Sequence, residues 1–260
     1  MVVVLLALLL FAPDLAVAIA VGIMAAIGSY ELLYRTGLQK NVRLNVYSAV
    51  MAFVVTLWSC HGRNYAAALI GILLYYVLLF AEMMGARMKL QFKDAMICMV
   101  SGIVMPFLLS ALVRIVVMER GRYLIYIPFI MAFFSDTGAY FIGVFFGKHK
   151  MAPVISPKKS WEGFFGGIAV AMLGMFAYSL VMQYAFHFEV NYLAALVYGL
   201  VGSLGGVLGD LSLSVVKRQT GIKDYGNLIP GHGGILDRFD SVLITAPLTE
   251  ALLLILPILL

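Results

Sequence analysis

Two aspartates stand where an apolar chain should carry no charge: Asp136 in FFSDTGAYF and Asp210 in GGVLGDLSLS. An ionised aspartate at the centre of a bilayer-spanning helix costs roughly 2.5–3.5 kcal/mol even on the gentler insertion scale, so it normally faces a cavity or a partner. A polar contact between helices is the plainer use for either residue. Their spacing to other polar groups points to a cleft. Asp210, Ser214 and Lys217 follow one another at helical intervals and share one face. Asp136, Tyr140, Gly143 and Gly147 repeat the pattern on a second helix. Two such stripes could line one water-filled cleft.

The segment IKDYGNLIPGHGGILDRFDS adds a loop with chemistry in it. Gly226, Pro230, Gly231, Gly233 and Gly234 break regular helix and let backbone N–H groups approach a ligand. His232 lies among the glycines. Asp237 and Asp240 follow, and on the first turn of a helix they would share a face. Paired carboxylates suit Mg²⁺, which keeps waters and bridges substrate phosphates. Lys217, Arg218, Lys223 and Arg238 supply matching positive charge for phosphate. An ordinary basic loop would explain the cations, but not the carboxylates, histidine and glycines beside them. In ISPKKSWEG, Ser156, Lys158 and Lys159 could hold an anionic headgroup or a triphosphate, and Trp161 suits a membrane interface.

These residues must be positioned by membrane helices. Of the 260 residues, 63% are hydrophobic and 12% charged, about half the charge of a soluble domain. A spanning helix needs about 20 apolar residues. Apolar runs predict nine spans, at roughly 2–12, 14–34, 44–60, 65–84, 95–118, 123–147, 163–186, 191–214 and 241–260. The runs are continuous rather than alternating, which excludes a β-barrel. The expected fold is therefore an all-α polytopic integral membrane protein. Its C-terminal helices build a polar cleft facing the cytoplasm.

Basic residues set the expected topology, because short cytoplasmic loops are enriched in them. Arg35, Lys40 and Arg43 follow span two, and Arg87, Lys89 and Lys93 follow span four. Lys148, Lys150, Lys158 and Lys159 follow span six, and the basic residues from Lys217 to Arg238 follow span eight. Only Arg63, Arg120 and Arg122, with Arg114 near a span end, fall on the other side. The N-terminus is thus expected in the cytoplasm. No Lys or Arg precedes the first apolar run, so it is not read as a signal peptide but as a truncated start. The net charge of +5 reflects this loop bias, and no aromatic-basic pattern points to nucleic acid. Cys60 and Cys98 are expected near opposite faces, which disfavours a disulfide. Glu31 and Glu82 fall near span ends, where snorkelling would relieve their cost. Glu250 falls inside the last span and calls for a partner or a proton. The glycines at 202, 205, 206 and 209 predict close helix packing. Three regions are expected: 1–60, 61–122 with a possible dimer contact, and a catalytic region 123–260.

SVVKRQTGIKDYGNLIPGHGGILDRFD, from Ser214 to Asp240, resembles the phosphatidate cytidylyltransferase family, also called CDP-diacylglycerol synthases. The family's pattern is a serine, a Lys-Arg pair, a Lys-Asp pair, His-Gly-Gly and Asp-Arg-x-Asp, and every position is met. SDTGAYFIGVFFGKHK, SPKKSWEG and Gly209-Asp210 are similar to the family too, and Tyr30-Glu31 weakly so. The N-terminus departs from it, lacking the usual basic stretch before the first span.

The resemblance implies transfer of a cytidylyl group from CTP to phosphatidate, giving CDP-diacylglycerol and pyrophosphate. It implies that Asp210, Asp237 and Asp240 bind metal, Mg²⁺ with a possible second, monovalent cation such as K⁺. Asp136 would join them or line the cleft. Lys217, Arg218, Lys223 and Arg238 would neutralise phosphates, with Ser214 and Asp224 as further motif positions. Lys158 and Lys159, beside Ser156, would hold either substrate. His232 would bond a phosphate oxygen, with Gly233 and Gly234 allowing close approach. A homodimer in a bacterial-type inner membrane, with its site facing the cytoplasm, is the expected setting. Two alternatives stand beside this reading: a CTP-dependent enzyme acting on a prenol or archaeal lipid, and an ion-coupled transporter using Asp136 and Asp210.

Overall fold

The computed structural model describes residues 8–9, 11–61, 65–85, 90–226 and 233–259. The chain is an α-helical multi-pass membrane protein. Seven helical segments among the described residues are long and apolar enough to cross a bilayer: Asp14–Arg35, Val42–Cys60, Tyr65–Gly85, Phe92–Val117, Gly121–Phe146, Trp161–Tyr184 and Tyr192–Gln219. They coincide with seven of the nine expected spans. The run expected at 2–12 lies mostly outside the described residues. The last expected span is corrected. Helix is present only over Val242–Ile255, a length of about 21 Å at 1.5 Å per residue, short of a hydrocarbon core about 30 Å thick. Beyond it the chain turns back along its own unit. The N–H of Asn191 donates to Ile258 O at 2.9 Å, and Tyr198 donates to Leu256 O at 3.0 Å.

The chain forms two compact units. The first comprises Met1–Arg122 and Gln219–Phe239. Its helix α1 (Asp14–Tyr30) runs without a break into a π-helical turn, Glu31–Arg35. Helices α2 (Val42–His61) and α3 (Tyr65–Gly85) follow. The next span is assembled from α4 (Phe92–Met99), a π-helical turn (Val100–Val104), α5 (Met105–Leu109) and α6 (Ala111–Val117). Asp94 and Gln91 close a capping box at its start. The core of this unit packs Leu33, Leu44, Met51, Val55, Tyr75, Leu79 and Cys98 together. Both cysteines are buried and unbridged.

After the short α7 (Gly121–Leu124), the second unit holds Tyr123–Arg218 and Asp240–Leu260. It contains α8 (Tyr126–Phe146), a β-hairpin of β1 (Lys150–Ala152) and β2 (Ser156–Ser160), α9 (Trp161–Tyr184) and α10 (Tyr192–Gln219). A single turn in the first unit, α11 (Leu236–Phe239), precedes α12 (Val242–Ile255). Two side-chain caps start the long helices: Ser160 accepts from the N–H of Gly163 at 3.2 Å, and Asn191 from that of Ala194 at 3.0 Å. Small residues let the helices touch. A Cβ on Gly163 would lie 2.6 Å from Ala139 O in α8, and one on Gly199 2.5 Å from the Cα of Met172 in α9. Gly202, Gly205, Gly206 and Gly209 likewise abut Met131, Leu248, Thr245 and Asp240, which is the close packing their clustering predicted.

Candidate active site

In the second unit a lysine and three aspartates gather. The antiparallel hairpin is closed at its base, where Glu162 accepts from Nδ1 of His149 at 2.6 Å. Its second strand carries Lys158, exposed, and Lys159, half-buried. Lys159 Nζ lies 2.5 Å from Asp210 Oδ2, with the two side chains 22% and 24% exposed. Asp210 Oδ1 accepts from Ser214 Oγ, one turn along α10, at 3.2 Å. The Asp210 carboxylate also lies near enough to Asp240 for their charges to interact. Asp136 Oδ2 accepts from Ser241 Oγ at 3.3 Å, and Asp240 Oδ1 from the N–H of Ser241 at 2.8 Å.

Asp240 lies in the connection ahead of α12. Burial pushes its carboxyl well above the ordinary aspartate range. The charges of Asp210 and Asp136 push the same way, against the N–H of Ser241 and the charge of Lys217. Two neighbouring carboxylates repel, and a proton or a bound cation relieves that repulsion. No three His, Cys, Asp or Glu side chains among the described residues are grouped to hold one ion by themselves. Two carboxylates such as Asp210 and Asp240 would suit an ion that takes one or two carboxylates and fills its remaining positions with water and phosphate, as Mg²⁺ does.

A cavity of about 170 Å³ adjoins these groups, lined by Asp136, Tyr140, Lys158, Lys159, Phe164 and Val207 among others. Its charged end and apolar wall suit an amphiphile. Arg218 Nε donates to Ile155 O at 3.1 Å, which ties the end of α10 to the hairpin beside Ser156. Lys217 is buried at 9% exposure.

The rest of the predicted residues belong to the first unit. Lys223 and Asp224 are exposed where the glycine-rich loop begins, and His232 lies outside the described residues. Helix α11 ends at Phe239, so Asp240 falls beyond it rather than on a shared first turn with Asp237. Asp237 Oδ2 instead accepts the N–H groups of Tyr225 at 2.8 Å and Gly234 at 3.0 Å. It thereby closes the base of the loop. Gly233 has a φ of 83°, a left-handed conformation that glycine adopts without strain. Arg238 is exposed on the same turn.

Glu31 overturns its expectation. It is 3% exposed and does not snorkel. Its Oε1 accepts the N–H of Ile235 and its Oε2 that of Leu236, each at 3.0 Å. An ionisable residue inside a span was the sequence signal that could have placed it at a site. Glu82 matches the expectation better, meeting Arg43 at 3.3 Å on an accessible surface.

Fold and site together define a multi-pass α-helical membrane protein whose intramembrane carboxylates are set against lysine. The chain belongs to the cytidylyltransferase family, whose pattern it matches over residues 1–256. A protein of Staphylococcus epidermidis named phosphatidate cytidylyltransferase is 47% identical over 136 residues, which cover 52% of this chain and 50% of the relative. Proteins of the same name are 40% identical over 173 residues in Staphylococcus aureus, covering 65% of this chain and 63% of the relative. In Staphylococcus saprophyticus the identity is 38% over a match of the same length. These matches span about half to under two thirds of the relatives' own length.

Proposed function

We propose that the protein transfers the cytidylyl group of CTP to phosphatidate, releasing pyrophosphate and leaving CDP-diacylglycerol in the membrane. The observation that carries this reading is Asp210 paired with Lys159 and within electrostatic reach of Asp240. A phosphate-handling site needs anionic groups for a cation and cationic groups for phosphate at close quarters, and both are present.

Both substrates are anions, so charge neutralisation and alignment make up most of the catalytic task. An oxygen of the lipid phosphate attacks the α-phosphorus of CTP. The new P–O bond forms as the bond from that phosphorus to the bridging oxygen breaks, and its electrons leave with pyrophosphate. The attacking oxygen is already ionised, so no enzyme nucleophile is required. Mg²⁺, when bound, offsets phosphate charge and orients the reacting groups. Asp210 and Asp240 would hold it, with Asp136 lining the cavity and Ser214 orienting Asp210. Lys158 and Lys159 take the lipid phosphate, supported by their place on the cavity wall. Lys217 and Arg218 answer the triphosphate, and the motif offers Lys223, Arg238 and His232 as further phosphate-binding groups. Ser156, Asp224, Gly233 and Gly234 shape the segments that carry these groups, and Asp237 holds the loop closed as well as standing near the metal ligands in sequence.

The site faces the cytoplasm in this reading, because CTP is supplied there. The chain works as a homodimer through 61–122, a reading supported by α3, whose most apolar stretch is only 11% buried. The test is release of pyrophosphate from CTP by the purified protein. Release that requires both phosphatidate and Mg²⁺ supports the proposal. Turnover with a prenol phosphate or an archaeal lipid instead would reassign the acceptor, and solute uptake without nucleotide turnover would replace the enzyme by a transporter.

A further inference from the structure

Glu31 is a carboxylate buried at the end of α1. It opens the π-helical turn Glu31–Arg35, and a π-turn widens the helical ladder and re-aims the side chains on it. The redirected carboxylate meets two backbone donors more than 200 residues away, one on each oxygen. Glycines enclose it. A Cβ on Gly226 would lie 2.6 Å from Oε1, and one on Gly234 would lie 2.5 Å from it. These two glycines stand on either side of the loop that ends at Gly234. Leu236 also packs its side chain against Gly28, one turn before Glu31, so the contact is both polar and apolar. Asp237 joins the same two ends, through Tyr225 and Gly234.

We infer that Glu31 is a positioning residue for the reaction. It docks the closed base of the glycine-rich loop onto the end of α1, and so sets where Asp237 and Arg238 are held. The consequence for turnover rests on the proposed cytidylyl transfer, whereas the docking itself does not. Each Glu31 oxygen accepts one N–H, so an amide in its place turns one acceptor into a donor facing a donor. Glu31→Gln keeps the shape and loses the grip on either Ile235 or Leu236.

The experiment uses the full chain in lipid nanodiscs, as wild type, Glu31→Gln, Glu31→Asp and Glu82→Gln. Pyrophosphate release is followed against CTP concentration, and backbone amide exchange is followed by mass spectrometry. In Glu31→Gln, amides around Ile235 and Leu236 should exchange faster while those of α2 and α3 do not change. Its kcat should fall about 100-fold, the scale expected when reacting groups shift by about 1 Å. Glu31→Asp keeps two acceptors at shorter reach and should recover part of both losses. Glu82→Gln should behave as wild type. Unchanged exchange at 235–236 in Glu31→Gln overturns the docking. Faster exchange with wild-type kcat overturns the link to turnover, as does an activity loss no larger than the unfolded fraction. If Glu31→Gln does not fold, Glu31→Asp decides by the same two measurements. If the wild type itself releases no pyrophosphate, the proposed reaction fails, and the exchange arm still decides the docking.

Discussion

Lys159 Nζ lies 2.5 Å from Asp210 Oδ2. The lysine comes from a β-strand after α8 and the aspartate from the middle of α10, so this pair joins two motifs that sequence alone leaves about 50 positions apart. The hairpin presents the lysine as a rigid strand residue rather than on a free loop. Its ammonium pairs with a carboxylate that also feels the charge of Asp240. The pair therefore sets the local charge balance on the cavity wall that Lys159 lines.

Lys159→Met should lower stability by up to about 3 kcal/mol, because it leaves Asp210 without its counter-charge in a mostly buried setting. Residual solvent at both side chains reduces the cost below that of a fully buried pair. Asp210→Asn in the same protein should restore part of the loss. Thermal unfolding of the two single variants and the double variant in one detergent measures this coupling. Additive losses would mean that the contact contributes nothing.

Mg²⁺ should raise the unfolding temperature of the wild type. The stabilisation should approach about 2.7 kcal/mol at a concentration 100 times the dissociation constant. Asp210→Asn and Asp240→Asn should abolish this shift and the turnover together. Retention of normal turnover by Asp210→Asn at saturating Mg²⁺ would remove Asp210 from the ion's ligands.

Lys217→Ala should leave the protein folded but impair substrate use. Loss of a charge-assisted contact to phosphate corresponds to roughly 1.5–3 kcal/mol, or about 10- to 100-fold in kcat/KM. Initial rates at varied CTP, beside an unfolding curve, check both halves. Wild-type kinetics would place Lys217 outside the site.

Gly199→Ala should lose about 1–3 kcal/mol by overpacking, since the new Cβ would sit 2.5 Å from the Met172 backbone. Gly71→Ala on α3 is the contrast. Nothing lies within 4 Å of its Cβ position, and alanine is the better helix former, so stability should hold or rise. Unfolding temperatures of the two variants should move in opposite directions, or only the first should fall.

The spans and the chemical motif were legible in the sequence because both are local. An apolar run about 20 residues long reports a membrane helix wherever it lies, and Asp210, Ser214 and Lys217 share a face by helical period alone. The carboxylates, lysines and glycines of Ser214–Asp240 are likewise adjacent in the chain. Other features depended on contacts that no local pattern encodes. The run over 241–260 reads as one span, and although Pro257 already disfavours helix at Leu256, only the fold brings the residues after Ile255 to Asn191 and Tyr198. Asp237 reads as a metal ligand by its neighbours, and folding also brings the N–H of Tyr225, from across the loop, to the Oδ2 that accepts from Gly234. Glu31 reads as a helix-end charge, and only folding carries Ile235 and Leu236 to it. A side chain's chemistry is written in its residue type. What that chemistry is used for depends on which distant donors and charges the packed helices deliver, and that was decided by the tertiary structure.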